Sequence, residues 1–217
     1  MGNIRIKIAG PEYIKYVPEI EEAITQASKV KGTGIAKRSK EYLGDKILEG
    51  KAVIAITQEG EFAGFCYIES WGHSKFVANS GLIVREKFRG QGLAMKIKTE
   101  AFRLSRKLFP GAKMFGLTTS LAVMKINSAL GYKPVTFSEL TDDDEFWKGC
   151  QSCAYYDVLF RTNRMHCLCT AMLYDPEKEE QNRFAKKYGR KNAVNTGKVR
   201  KEILQYLNPI RKIKMGI

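Results

Sequence analysis

The sequence predicts an α/β fold of the α+β kind: a mixed, mostly antiparallel twisted sheet flanked by helices. Three observations carry this expectation. Short β-branched and aromatic runs follow one another between residues 52 and 86 with turn residues between them, as an antiparallel meander requires. The last of these runs passes through a basic, glycine-punctuated turn into a segment of helical period, the pattern of a crossover helix. An apolar share of 44% supplies a core, yet no stretch of eighteen apolar residues could span a bilayer.

Each element has its own signal. "NIRIKIA" alternates polar and apolar residues like a half-buried strand, and Ile14, Val17, Ile20 and Ile24 then recur at helical spacing up to a Gly-Thr-Gly loop. "AKRSKEYLGDKILEGK" predicts a short helix, with Ser39 as its cap and Leu43 and Ile47 as an apolar pair. "AVIAITQ" and "EFAGFCYIES", joined by Glu59-Gly60, read as a hairpin, and "FVANSGLIVRE" is the third strand of the meander. After the glycine turn, Leu93, Ile97, Ala101 and Leu104 mark one helix face. "AKMFGLTTS" is a strand, "LAVMKINSAL" a helix and "YKPVTFSEL" a further strand. Residues 1-140 are therefore expected to form one α/β unit, 141-177 a cysteine-containing hairpin extension and 178-217 a basic helical tail.

The formal charge of +14 is unevenly spread. From Lys178 to Ile217 there are twelve Lys or Arg against three Glu. Such a tail can dock nucleic acid or simply form a solvated helical face; the second reading is preferred, and nucleic acid is not the expected partner. The N-terminus lacks a secretory apolar region, and Ile6 stands where N-myristoylation needs Ser or Thr. A cytoplasmic protein without a membrane partner is expected, and a homodimer is compatible with its size.

"GLIVREKFRGQGLAMKI" places positive charge and small residues where a strand hands over to a helix. A helix N-terminus presents unpaired amides and about half a positive charge, which suits a phosphate group. Small residues at 90, 92 and 94 let an anion approach the backbone, with Arg85, Lys87 and Arg89 in front. Taken alone, "RGQG" also fits an ordinary strand-to-helix turn.

The wider pattern, Val84-x-x-x-Phe88-Arg89-Gly90-x-Gly92-Leu93-Ala94 between a strand and a helix, resembles the signature of the GNAT N-acyltransferase superfamily, and the element order agrees with it over residues 3–140. The resemblance implies acetyl-CoA or another short acyl-CoA as co-substrate. Backbone groups of Leu82, Ile83 and Val84 would pair with the pantetheine arm, and the amides of Arg89, Gly90, Gln91, Gly92, Leu93, Ala94 and Met95 would hold the pyrophosphate. The thioester would lie near Leu117 to Ser120. Chemistry in the family is direct attack of a neutral amine on the thioester, so Cys66 is not needed as a nucleophile. Glu69 could take the amine's proton, or could be a solvated strand-end carboxylate. Many members carry an Asn after the fifth strand and a Tyr seven residues later; those positions fall on Ser120 and Asn127. Asn127 can hydrogen-bond the cofactor but has no acidic proton, which leaves the general acid unassigned.

"KRSKEYLGDKI" followed by the hairpin, together with Thr118-Thr119, also resembles the acyltransferase domain of N-acetylglutamate synthases. That likeness implies that Arg38 binds the carboxylate of an amino-acid substrate through its planar fork. An amino acid is then the favoured acceptor, glutamate in arginine biosynthesis a lead, and acetyl or succinyl the acyl group. Two alternatives keep the motif: a protein or peptide N-acetyltransferase, and a non-catalytic CoA-binding module that docks nucleic acid through its tail.

"GCQSCAYYDVLFRTNRMHCLC" sets Cys150 and Cys153 against Cys167 and Cys169, with His166 as a further candidate ligand. Two close thiol pairs in a cytosolic chain fit a structural zinc site, or else small residues buried in a sheet.

Overall fold

The computed structural model describes residues 4–30 and 34–180. The chain divides into a unit spanning Met1–Asp175 and a second spanning Pro176–Ile217. Residues 181–217, and with them nearly all of the basic tail, lie outside the described residues, as does most of the Gly-Thr-Gly loop.

The first unit is built on a seven-stranded sheet: β1 (Arg5–Ile8), β2 (Ala52–Ile56), β3 (Phe62–Trp71), β4 (Phe76–Val84), β5 (Lys113–Thr118), β6 (Lys133–Val135) and β7 (Thr170–Tyr174). Their spatial order is β1-β2-β3-β4-β5-β7-β6. Only β4 and β5 run parallel; every other neighbouring pair is antiparallel. This follows from the connection: tight turns join the meander, whereas α3 (Leu93–Leu108) carries the chain over the sheet between β4 and β5.

The two sheet faces are covered by different helices. α1 (Val17–Lys29) and α2 (Lys40–Leu48) bury Ile20, Ile24, Leu43 and Ile47 against Ile54, Phe65 and Tyr67. As the sequence predicts, Ser39 caps α2, its hydroxyl accepting from the Tyr42 amide at 3.2 Å. α3 presses Leu93, Ile97, Ala101 and Leu104 onto the opposite face, against Cys66, Ile68 and Val77. Each such apolar side chain contributes about 1.5–3 kcal/mol on burial.

The C-terminal part of this unit departs from expectation. "YKPVTFSEL" supplies strand only over Lys133–Val135, because Pro134 has no N–H for a second neighbour; β6 lies accordingly at the sheet edge. The segment expected to be a cysteine hairpin holds α5 (Asp144–Lys148) and α6 (Tyr156–Arg161), and only then β7. Its aromatic and β-branched residues suggest a strand, but Asp157 and Arg161 pair at 3.2 Å one helical turn apart, and Leu159 is buried in the core with Tyr156 packed against it. β7 then inserts between β5 and β6, so this region completes the sheet. The acidic run beforehand is a clamp: Asp143 caps α5 and accepts from the Gly72 amide at 3.0 Å, fixing α5 to the β3–β4 turn.

Candidate active site

The centre of the sheet is split. β4 and β5 pair only from Phe76–Lys113 to Ala78–Phe115, after which each strand continues without the other. On its other edge β4 stays paired with β3, but the register slips by one residue between Phe65 and Tyr67. Gly81 lies opposite this slip with φ +62, and a Cβ there would stand 2.3 Å from the Tyr67 ring. Only glycine allows the bulge, and the bulge turns the end of β4 away from β5. The result is a cleft of about 210 Å3 through the sheet, reaching from Arg38 and Glu69 on one face to Lys98 and Asn127 on the other.

Leu82 lines this cleft, while the side chains of Ile83 and Val84 are buried in the core. The strand edge that β5 abandons is free to pair with an extended ligand. One group there is already engaged: the Val84 carbonyl accepts from Arg89 Nε at 3.2 Å, which ties the turn to the strand end.

α3 begins at Gly92, in left-handed conformation at φ +72, with no side chain capping its first amides. Gly90 is also left-handed at φ +75, and a Cβ on either would meet nothing within 4 Å. Arg89, Gly90, Gln91 and Gly92 are exposed, whereas Leu93 turns its side chain into the core and offers only its amide; Ala94 and Met95 are half-buried. An open, positively polarised nest therefore stands beside the free edge of β4. Lys87 does not face this nest as its sequence position suggested; it pairs with Glu61 of the β2–β3 turn.

At the opposite mouth, Glu69 is 6% exposed and sits well inside β3, opposite Ala78. The solvated strand-end reading of this carboxylate is thereby overturned. Tyr42 of α2 donates its phenol to Glu69 Oε1. Arg38, half-buried, lies over the Tyr42 ring at 5.6 Å. Burial works against the Arg38 charge, but Tyr67, Glu69 and Tyr42 outweigh it and the guanidinium pKa is raised. Both phenols are pushed up, by burial first and by the Glu69 charge next. The arrangement is a buried carboxylate with a cation and two neutral phenols around it.

Asn127 of α4 (Leu121–Ala129) is 1% exposed. Its Nδ2 reaches Met172 Sδ at 3.8 Å, and its Oδ1 is a buried acceptor without a partner among the described residues. Ser120, at the end of β5, uses its hydroxyl to cap α4, accepting from Val123 N at 3.4 Å.

Arg38, Glu69, Leu82, Ser120, Asn127 and Cys150 thus meet at one cleft. Cys153, Cys167 and Cys169 do not line it, although the thiols of Cys150, Cys153 and Cys167 all help, after burial, to raise the Cys169 thiol. Cys167 and Cys169 precede β7 and are not strand residues. Among the described residues no three His, Cys, Asp or Glu side chains are arranged to hold a metal ion, so the expected zinc ligation does not fit this geometry. No helix among them is long and apolar enough to cross a membrane.

Two lining residues, Tyr67 and Lys98, and Tyr42, which bonds the lining Glu69, escaped sequence reasoning, and each had a signal. Tyr42 lies one helical turn beyond Arg38, and Tyr67 shares a strand face with Glu69 two residues on. Lys98 interrupts the stripe Ala94, Ala101, Ser105 on the buried side of α3.

No protein-family model matches this chain, and no curated protein matches its sequence. Solved structures do match, and the fold they define is that of the GNAT acetyltransferases. N-acetylglutamate synthase from Neisseria gonorrhoeae, complexed with coenzyme A and N-acetyl-glutamate, aligns with TM-score 0.57 at 16% identity over 81% of this chain. The alignment covers 35% of that synthase, so this chain corresponds to about a third of its length. A GNAT superfamily phosphinothricin acetyltransferase from Sinorhizobium meliloti, in complex with acetyl-CoA, aligns with TM-score 0.53 at 14% identity, covering 80% of this chain and 88% of its own. Mosquito arylalkylamine N-acetyltransferase like 5b gives TM-score 0.53 at 17% identity, covering 80% and 100%. At these identities the likeness is one of fold.

Proposed function

We propose that this chain is an acyl-CoA-dependent N-acyltransferase that transfers an acetyl or succinyl group to the amine of a small amino acid. The observation that carries this reading is the continuity of three features. The open nest at the start of α3, the free edge of β4 and the buried Glu69 form one path. Its order, from nest to strand edge to cleft, suits a diphosphate, an extended pantetheine arm and a thioester in turn. The amides of Arg89 to Met95 would hold the diphosphate, and Leu82 to Val84 the arm. Bound there, the coenzyme supplies an acyl carbon activated by sulfur.

At the other mouth, Arg38 would grip the acceptor's carboxylate through two parallel hydrogen bonds, leaving its amine beside Glu69. Glu69 takes the ammonium proton, and the neutral amine attacks. Tyr42 orients the carboxylate for that task. Attack is direct, and Cys66 is spared a nucleophilic role: it is fully buried, with burial pushing its thiol up to about 11. Glutamate is one candidate acceptor, since the synthase that shares the fold was solved with N-acetyl-glutamate.

The test is an acceptor screen. The protein is incubated with acetyl-CoA or succinyl-CoA and each of twenty amino acids, and thiol release is followed. Turnover above hydrolysis with one amino acid supports the reading. Silence with all of them, and reaction with peptides instead, would move the acceptor to a protein terminus or lysine.

A structural metal on Cys150, Cys153, Cys167 and Cys169 is a separate reading of the corner beside the cleft. Cys150, Cys153 and Cys167 lie within electrostatic reach of Cys169, although no three His, Cys, Asp or Glu among the described residues are arranged to hold a metal ion. Elemental analysis of protein purified without chelators decides: near-stoichiometric zinc supports the site, and only traces end it.

A further inference from the structure

One buried group in the cleft has no part in the chemistry just outlined. Lys98 is 2% exposed, on the face of α3 that meets the sheet. Its Nζ donates to the Asn79 carbonyl at 2.9 Å and lies 5.9 Å from the Tyr132 ring centre. None of the ion pairs among the described residues includes it. An ammonium has three N–H bonds to give, and one is placed here. Burying such a charge without a counter-ion is costly, and an apolar side chain would fill the same space without that cost.

Its position suggests what the charge is for. Ala78 makes the last β4–β5 pair, and Asn79 is the next residue, so the ammonium sits at the apex of the split. Asn79 is itself fixed there: its Nδ2 donates to Ser105 Oγ at 2.6 Å, and Tyr132 donates to its Oδ1 at 3.2 Å. The lysine therefore has a rigid seat beside the place where an acyl thioester would end. An anion forms at that place in the reaction, because the departing sulfur takes the C–S electron pair. Asn127 has no acidic proton to offer it, and the Tyr132 phenol is already committed to Asn79.

We propose that Lys98 is the catalytic acid that meets the coenzyme A thiolate as it leaves. This inference rests on the acyl-CoA reading of the cleft. The C–N bond forms as the C–S bond breaks, and a proton passes from Nζ to sulfur, giving the free thiol and a neutral amine. Of the acceptor's three ammonium protons, one stays on the amide. One departs through Glu69 before attack. The last, shed after attack, is replaced on Lys98 through water, so a single proton is released overall. Burial lowers the Lys98 pKa, which eases this transfer. Cys66 faces it from β3 and Tyr132 from the loop before β6; burial raises the pKa of both and keeps them neutral. Glu69 and Arg38 line the same cleft from the other face.

The test compares calorimetric binding of free coenzyme A and of its thiol-free analogue desulfo-CoA to the full chain, from about pH 6 to 10. Coenzyme A should gain affinity over the analogue by about tenfold, at a pH below the titration of the free thiol, because sulfur and Nζ then hold one proton between them, which the analogue cannot do. In Lys98→Met that early gain should vanish, and kcat should fall by about 100-fold or more with the KM for acyl-CoA little changed. A wild-type preference that merely follows the free thiol overturns the role of Lys98 and leaves the acyl-CoA reading standing; it needs no variant to fold. A Lys98→Met kcat within about threefold of wild type does the same. Failure of both ligands to bind overturns the two together.

Discussion

The Tyr42 phenol donates to Glu69 Oε1, joining the first turn of α2 to β3 across 27 residues of sequence. This contact brings the helix that carries Arg38 at its entrance against the strand that carries the buried carboxylate. It separates two roles that substitutions can resolve. Glu69→Gln keeps the shape but cannot accept a proton, so kcat should fall by about 10²–10⁴-fold while the KM for acyl-CoA holds. Tyr42→Phe keeps the base but leaves a buried acceptor short of a donor, at a cost of about 1–3 kcal/mol. For a unit of this size that is a Tm drop of about 2–4 °C per kcal/mol, read by thermal denaturation. An undiminished kcat in Glu69→Gln would remove it from the proton path.

Arg38→Ala should raise the KM for the amine acceptor far more than that for the acyl donor. Arg38→Lys should recover little, because a single ammonium cannot reproduce a two-point grip on a carboxylate. Steady-state kinetics with each substrate varied in turn measures the split, and equal effects on both constants would contradict the assigned contact.

The two functional glycines should fail differently. Gly81→Ala places a methyl into the Tyr67 ring and forces a left-handed backbone, costing about 1–2 kcal/mol for the backbone and about 1–3 kcal/mol for the clash. Denaturant titration should report the loss. Gly92→Val meets open space at φ +72, so backbone strain is its main cost to folding. Its branched side chain stands where the diphosphate would lie, and the CoA-induced rise in melting temperature should disappear.

Lys98 links catalysis to stability with a definite sign. Its folded pKa is lowered by burial, below the unfolded value of about 10.4. Between the two values the unfolded chain binds more protons, so this lysine makes stability rise with pH. Near pH 7 its charge costs stability, and Lys98→Met should unfold at higher denaturant than wild type. The difference between the two should close above about pH 10. Cys66 works in the opposite direction and feels the Lys98 charge, so both proteins are compared in a Cys66→Ala background. A constant difference across that range would show that Lys98 is not titrating in this way.

Thiol reagents give an independent check on direct attack. With burial pushing the Cys66 thiol up to about 11, native protein should resist alkylation there near neutral pH, and Cys66→Ala should keep its turnover. Loss of activity in step with Cys66 labelling would point instead to a covalent intermediate.

The sequence by itself determined the meander, the crossover helix and the glycine turn between strand and helix, because each is local. Alternation, helical period and two glycines at a strand-to-helix junction act over fewer than about twenty residues. It also set Ser39 as a cap and kept Cys66 in the core. The cysteine segment was misread because aromatic and β-branched composition does not separate a short helix from a strand; packing of Leu159 decided that. Only the tertiary structure decided that Glu69 is buried, that Tyr42 reaches it, and that Lys98 seats its charge on Asn79 at the split. Those facts depend on where strand pairing stops and how a bulge turns one strand from its neighbour. Both are set by contacts between residues far apart in the chain, where no local pattern is written.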